Sequence, residues 1–415
     1  MQNLRGDVGD RSFMKVLIIL DVPPAPGIIG NPERNFHLIR SLSQQHQVAV
    51  FCLSHRPGDL HGMREVERYC STVETVTIIR SKLRFAYRCL WAMLHGEPVQ
   101  NGFFASREAY YQIQRLCREQ QFDIIHIEHA FMAPYLRAAG KGNFKSVLFL
   151  HNIGPILWKR IYCVETRVIR KVEYGLDFLF AKLWEHRICR KFDQCVVYSE
   201  VDRDLYLSST KKNNVSVVSC GIDVGQIPYL PRPKHMGELL YIGKMTYPPN
   251  RDAVRYFCYS ILPLILERRR DICFHALGQP ALEELKASAP PEALDLAGRV
   301  NDPADYYRRC AVSVVPLRAG SGVRLKILES MAYGRPVVTT SIGCEGLHVT
   351  HMKNIWVADT PQDFAEGVLR LLFDEALWKQ MAENGRRFVE ENHECYAMSQ
   401  KILKVYESLT ATGKL

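Results

Sequence analysis

AVSVVPLRAGSGVRLKILESMAYGRPVVTT, residues 311–340, reads as one strand–turn–helix–strand unit. AVSVVP is an apolar-rich run of strand length. Gly320 and Gly322 break the regular pattern, VRLKILESMAY has the 3.6-residue spacing of a helix, and PVVTT opens a second strand. Two strands joined by a helix are parallel, and parallel sheets are covered on both faces, so their strands are continuously apolar rather than alternating.

The same pattern extends in both directions. ELLYIG (from Glu238) and DICFHAL (from Asp271) precede the unit and NIWVA (from Asn354) follows it. Further upstream lies a separate series: KVLIILD (Lys15), QVAVFCL (Gln47), ETVTII (Glu74), DIIHIE (Asp123), SVLFLH (Ser146), DQCVVY (Asp193) and VSVVS (Val215). Between the two series, Cys220 to Gly237 carries glycines and three prolines, the composition of a connector. The chain of 415 residues suits two cores rather than one. The expected architecture is α/β, with two Rossmann-like, doubly wound parallel-sheet domains facing a central cleft. Residues 14–224 form the first domain and 225–395 the second. Residues 1–13 are read as a disordered extension, and a helical stretch at 396–412 as crossing back to complete the first domain.

Composition narrows the class. With 47% hydrophobic and 24% charged residues the chain is globular, and no uncharged apolar run is long enough to span a bilayer. Thirteen cysteines without metal-ligand spacing, and no secretory leader, point to a reducing, cytoplasmic setting. The net charge of +10 is uneven. Residues 1–230 hold 30 Lys and Arg against 22 Asp and Glu, and the remainder 24 against 22. Two stretches, RSKLRFAYRCLWAML from Arg80 and the basic, apolar-rich Ile156–Phe192, suit either packed amphipathic helices or an anionic membrane surface.

Ligands of open α/β sheets bind beyond the carboxyl ends of the strands, so the loops there hold the candidate chemistry. Gly320, Ser321 and Gly322 offer backbone N–H groups, and a helix expected to start near Val323 points its positive end at the same place. Arg324 and Lys326 sit where cations gain nothing from that dipole, which an anionic ligand such as a diphosphate would compensate. Glu329, one turn on, is an acceptor for the paired hydroxyls of a ribose.

On these residues the stretch Gly298–Thr340 resembles the donor-binding region of glycosyltransferase family 4, retaining enzymes of the GT-B fold, including bacterial exopolysaccharide-associated sugar transferases. The resemblance implies diphosphate contacts from Gly320, Ser321, Gly322, Arg324 and Lys326, and ribose contacts from Glu329. It places Arg299 and Val300 against the base, and makes Lys244, in YIGKMTYPPN from Tyr241, a cation on the leaving diphosphate. Ser321 departs from the pattern, since many members place a Glu there, and Asn250 stands where some place a Lys. In the first half, the segment after Asp21 resembles the family's loop with Gly30 and Arg34. LHNIG brings His151 near the transferred sugar, and Glu128 and His129 end a strand on the acceptor side, with Arg34.

The implied catalytic set is His151, Lys244 and Lys326, with no metal and no cofactor beyond the nucleotide-diphosphate sugar substrate. The implied reaction is metal-independent sugar transfer, with retention, to a glycan or lipid-linked acceptor in polysaccharide or glycolipid synthesis. The expected site is the cytoplasm, with peripheral contact to an anionic membrane and no nucleic-acid partner. Two other readings fit the same pocket: a nucleotide-sugar epimerase of this fold, and a non-catalytic scaffold binding nucleotide or membrane. A dinucleotide oxidoreductase is disfavoured, because the loop after the first strand lacks G-x-G-x-x-G.

Overall fold

The computed structural model describes residues 13–27, 30–54, 63–78, 90, 92, 94–99, 101–300 and 302–411. The extension at 1–12 and most of the basic stretch from Arg80 lie outside the described residues. Among those described, thirteen strands form two wholly parallel sheets.

The first sheet has the order β3-β2-β1-β4-β5-β6-β7. Its strands are β1 Lys15–Leu20, β2 Gln47–Ser54, β3 Thr72–Thr77, β4 Ile124–Glu128, β5 Lys145–Phe149, β6 Gln194–Val197 and β7 Val215–Val217. The second has the order β10-β9-β8-β11-β12-β13. Here the strands are β8 Glu238–Ile242, β9 Cys273–Leu277, β10 Leu294–Gly298, β11 Val312–Val315, β12 Val337–Thr339 and β13 Trp356–Val357. In each sheet the order reverses once, between β1 and β4 and between β8 and β11. Helices leave in opposite directions at such a reversal and a crevice opens beyond the strand ends.

Six helices position the site and are numbered here in chain order: α1 Asn31–Leu42, α2 Gly154–Val164, α3 Val168–Cys189, α4 Pro248–Tyr256, α5 Leu325–Ala332 and α6 Cys395–Ala411. The last of these packs on α1 in the first lobe. Its Met398, Ile402, Leu403 and Tyr406 join Val16, Ile18, Phe36 and Ile39 in one buried cluster. Burying each such side chain contributes about 1.5–3 kcal/mol, enough to hold the end of the chain on the first sheet. His393 and Cys395 also exchange backbone hydrogen bonds with Ile222, tying the helix entrance to the connector.

Two local expectations change. α5 begins at Leu325 rather than near Val323, because Arg324 has φ −96 and ψ 93 and stands just before the first helical turn. β10, LDLAG, was not anticipated, since its short alternating pattern lacks an apolar run. All the described cysteines are free thiols. No described helix is long and apolar enough to cross a membrane.

Candidate active site

The two order reversals face each other. From the first lobe come the ends of β1, β4 and β5, carrying Asp21, Glu128, His129 and His151. From the second come the loop after β8 with Gly243 and Lys244, and the loop after β11 with Gly320–Gly322. Between them lies a cavity of about 200 Å3, lined by Asn31, His129, His151, Tyr247, Asn250 and Arg324 among others. This is below the roughly 300–1,000 Å3 of ordinary ligand pockets, so the lobes stand nearly closed on each other.

Closure runs through the glycine-rich turn. Gly322 has φ +76, and a Cβ there would lie 2.0 Å from the His151 carbonyl oxygen, so only glycine admits this approach. Ser321 Oγ accepts the Ile153 N–H at 3.0 Å. Arg160, on α2, donates to the Gly320 carbonyl at 2.8 Å and pairs with both oxygens of Glu345 at 2.6 and 2.8 Å. The Ser321 hydroxyl thus meets first-lobe backbone. Arg160 and Glu345 belong to no motif, and only the fold brings them together.

Behind the turn sit the cations. Arg324, half-buried, donates to the Ser321 carbonyl at 2.5 Å and also to that of Gly322, and burial lowers its pKa. Lys326, in the first turn of α5, donates to Tyr241 Oη at 2.9 Å and to Asn250 Oδ1 at 2.8 Å, with its ammonium 4.1 Å from the Tyr241 ring centroid. Burial, with Arg324 beside it, pushes the Lys326 pKa down to about 7. Asn250 is therefore the acceptor that orients Lys326. Asn250 Nδ2 in turn donates to the Lys244 carbonyl at 2.9 Å, while the Lys244 side chain is exposed. A Cβ on Gly243 would come within 2.7 Å of Lys326 Nζ and 2.8 Å of the Asn250 amide, so a larger residue there would displace this pair.

Glu329 is buried, and burial pushes its pKa up to about 8 against the opposing effect of Tyr307. Glu33, in the first turn of α1, reaches across from the first lobe and raises it further. Sequence reasoning missed Glu33, although it lies beside Arg34. Arg299 is exposed and Val300 half-buried after β10, and Gly30, with φ +114, caps α1.

Of the residues expected on the acceptor side, His129 lines the cavity, while Arg34 and Glu128 are buried and paired with each other. Arg34 is 2% and Glu128 0% exposed, and Arg34 Nη2 meets Glu128 Oε2 at 2.7 Å. Glu128 also receives His126 Nε2 on Oε1 at 2.9 Å and His151 Nε2 on Oε2 in a short contact. Burial alone would raise the Glu128 pKa, but Arg34 and the two imidazoles outweigh it and hold the carboxyl well below its usual range. Arg34 and Glu128 therefore form the floor beneath His151. His129 and His151 stack with ring centroids 3.7 Å apart on the cavity wall. Burial lowers the two pKa values to about 4 and about 3, so both rings are neutral near pH 7.

No metal-ligand spacing is visible in the sequence, yet the fold gathers Glu238, His275 and Cys310 within 4.8 Å of one another. They lie toward the amino ends of β8, β9 and β11, away from the cleft. Asp295 on His275 at 2.8 Å and Arg309 on Glu238 at 3.3 Å supply partners for the charged groups there.

The arrangement offers neutral imidazoles on one wall and a basic, glycine-lined wall opposite. Two family models match the chain, one described as Glycosyltransferase Family 4 over residues 34–226 and one as Glycosyl transferases group 1 over residues 237–374. An uncharacterized 44.6 kDa protein of the cps region of Klebsiella pneumoniae is 21% identical over 301 residues, 71% of this chain and 76% of its own length. An uncharacterized glycosyltransferase of Methanocaldococcus jannaschii is 34% identical over 122 residues, 28% of this chain and 34% of its own. Among solved structures, a sucrose-phosphate synthase from Thermosynechococcus elongatus superposes with a TM-score of 0.72 at 18% identity, covering 96% of this chain and 100% of that one. Anabaena HepE, solved with UDP and glucose, gives 0.65 at 15% identity, covering 95% and 100%. At these identities the structural likeness shows the GT-B fold.

Proposed function

Because the chain belongs to the family 4, group 1 glycosyltransferases, we propose that it moves a sugar with retention from a nucleoside-diphosphate sugar to a hydroxyl of a glycan or lipid-linked acceptor. The observation that carries the donor assignment is Lys326. A half-buried ammonium of lowered pKa beside Arg324 and a glycine-rich turn is a poor arrangement by itself and a good one for a diphosphate. The UDP bound by HepE and the cps-region relative support a nucleotide donor and a role in polysaccharide synthesis.

In this reading Lys244, exposed and free to swing, joins Arg324 and Lys326 in stabilising the departing diphosphate without a metal. Glu329 holds the ribose. The leaving phosphate takes the proton of the acceptor hydroxyl as that oxygen attacks from the same face, while His151, neutral, lines the sugar pocket. The near-closed lobes exclude water. A panel of nucleoside diphosphates in thermal-shift assays, followed by NMR of the anomeric product from the sugar donor selected, tests this. A transferred sugar of retained configuration, insensitive to EDTA, is expected. Inverted product, or a free epimer released without acceptor, would overturn it.

Membrane contact at the cytoplasmic face is part of the same proposal. Along α3, Val172, Leu176, Leu179 and Leu183 form an exposed stripe at helical spacing, with Val168 and Ile169 77% and 85% exposed at its start. Arg167, Arg170, Lys171 and Lys182 accompany it. Apolar side chains left in water beside cations suit an anionic bilayer surface. The chain is expected to pellet with phosphatidylglycerol vesicles, and Ile169→Glu with Val172→Glu to weaken this about 10-fold or more. Equal pelleting of the variant would contradict the assignment.

A further inference from the structure

His151 is held from below by a buried chain of side chains that ends on the last helix of the protein. Tyr406 Oη, on α6, lies 2.5 Å from His126 Nδ1. His126 Nε2 lies 2.9 Å from Glu128 Oε1, and Glu128 Oε2 meets His151 Nε2. Tyr406, His126 and Glu128 are each fully buried, and His126 also stacks on Phe149 at 4.2 Å, which fixes its ring.

The proton positions follow from the groups. An ionised carboxylate only accepts, so both imidazole nitrogens that face Glu128 carry hydrogen. His126 Nε2 then donates to Glu128, and in the neutral ring Nδ1 is the acceptor for the Tyr406 hydroxyl. The phenol keeps its proton, because burial raises its pKa well above the usual value. His151 is likewise left with Nδ1 as the ring's acceptor nitrogen, on the wall of the cleft.

We propose that Tyr406 and His126 are positioning residues, which through Glu128 set the tautomer and the acid strength of His151, so that the C-terminal helix is a working part of the site on the first lobe. Hydrogen bonds in a low-dielectric chain polarise one another. Donation by Tyr406 to Nδ1 makes Nε2–H of His126 a better donor to Glu128, and a carboxylate so engaged attracts a proton on His151 less. Weakening the far end of the chain therefore makes His151 easier to protonate. The other ionisable groups around the pair are Arg34 on α1, whose Nη2 lies 3.2 Å from His151 Nε2, Asp21 after β1, His129, Tyr198 and Cys220, and substitutions at Tyr406 and His126 leave each of these residues in place.

The role of His151 in sugar transfer rests on the proposed function, whereas its titration does not, so the two are read separately. Ring-nitrogen NMR of the full chain, labelled at histidine, would follow His151 as pH is lowered in the wild type, Tyr406→Phe, His126→Leu and His126→Gln. The midpoint is expected to rise by about half a unit or more in Tyr406→Phe and further in His126→Leu. His126→Gln, whose amide still donates to Glu128, should remain near the wild type. The acid limb of kcat/KM should move in the same order, with kcat falling several-fold and the donor KM little changed. A His151 titration identical in all four proteins would overturn the proposal even if the variants lost activity. The expected NMR shifts in a protein that transfers no sugar would leave it standing and sink the proposed function instead.

Discussion

Lys326→Met is expected to lower turnover of the nucleotide sugar by about 10²–10³-fold while leaving the melting temperature unchanged or slightly raised. The two effects have one cause. Lys326 is lowered from 10.5 to about 7 in the folded chain by burial and by Arg324. Between those values the unfolded chain binds a proton that the folded chain does not, so this residue makes stability rise with pH across that window. At neutral pH its ammonium is a burden on the empty protein, and Met removes the burden. Tyr241 still donates to Asn250 at 2.8 Å, so the neighbouring acceptor is not orphaned.

The same residue predicts a pH dependence of binding. A diphosphate restores a full charge to Lys326, so above about pH 7 donor binding takes up a proton and affinity falls as pH rises. Calorimetry in buffers of different ionisation enthalpy measures that uptake, which should vanish in the variant. Unchanged turnover in Lys326→Met, or binding without proton uptake at pH 8, would remove Lys326 from the diphosphate site.

The second large effect is on stability. Glu128→Gln should destabilise the fold by about 3–5 kcal/mol, because Arg34 then remains buried without a counter-charge. The folded pKa of Glu128 lies well below 4.5, so its contribution is fully present above that value and is lost as pH falls through the folded pKa. Urea unfolding of wild type and variant should therefore differ most at neutral pH and converge in acid. Replacing both partners, Arg34→Met with Glu128→Leu, should cost less than the single change. A single variant as stable as the wild type would show that Arg34 has a second counter-charge.

How much of this was legible beforehand depends on distance along the chain. Uninterrupted apolar runs joined by helical spacing give parallel strands whatever their tertiary setting, because a strand buried on both faces must be apolar throughout. The glycines at 320 and 322, the cations at 324 and 326 and the acid at 329 lie within ten residues, and a local pattern displays them together. What is not local was not visible. Arg34 and Glu128, read as facing an acceptor, are 94 positions apart and neutralise each other under the cleft. Arg160 and Glu345 join only when the two lobes meet, and Asn250 and Lys326 only when the adjacent strands β8 and β11 bring their following helices together. Sequence alone thus determined two parallel-sheet lobes and the side chains available to a diphosphate. Tertiary structure decided which charges remain for a ligand and which are consumed within the protein, since burial and partner distance, not residue type, set whether a charge is free.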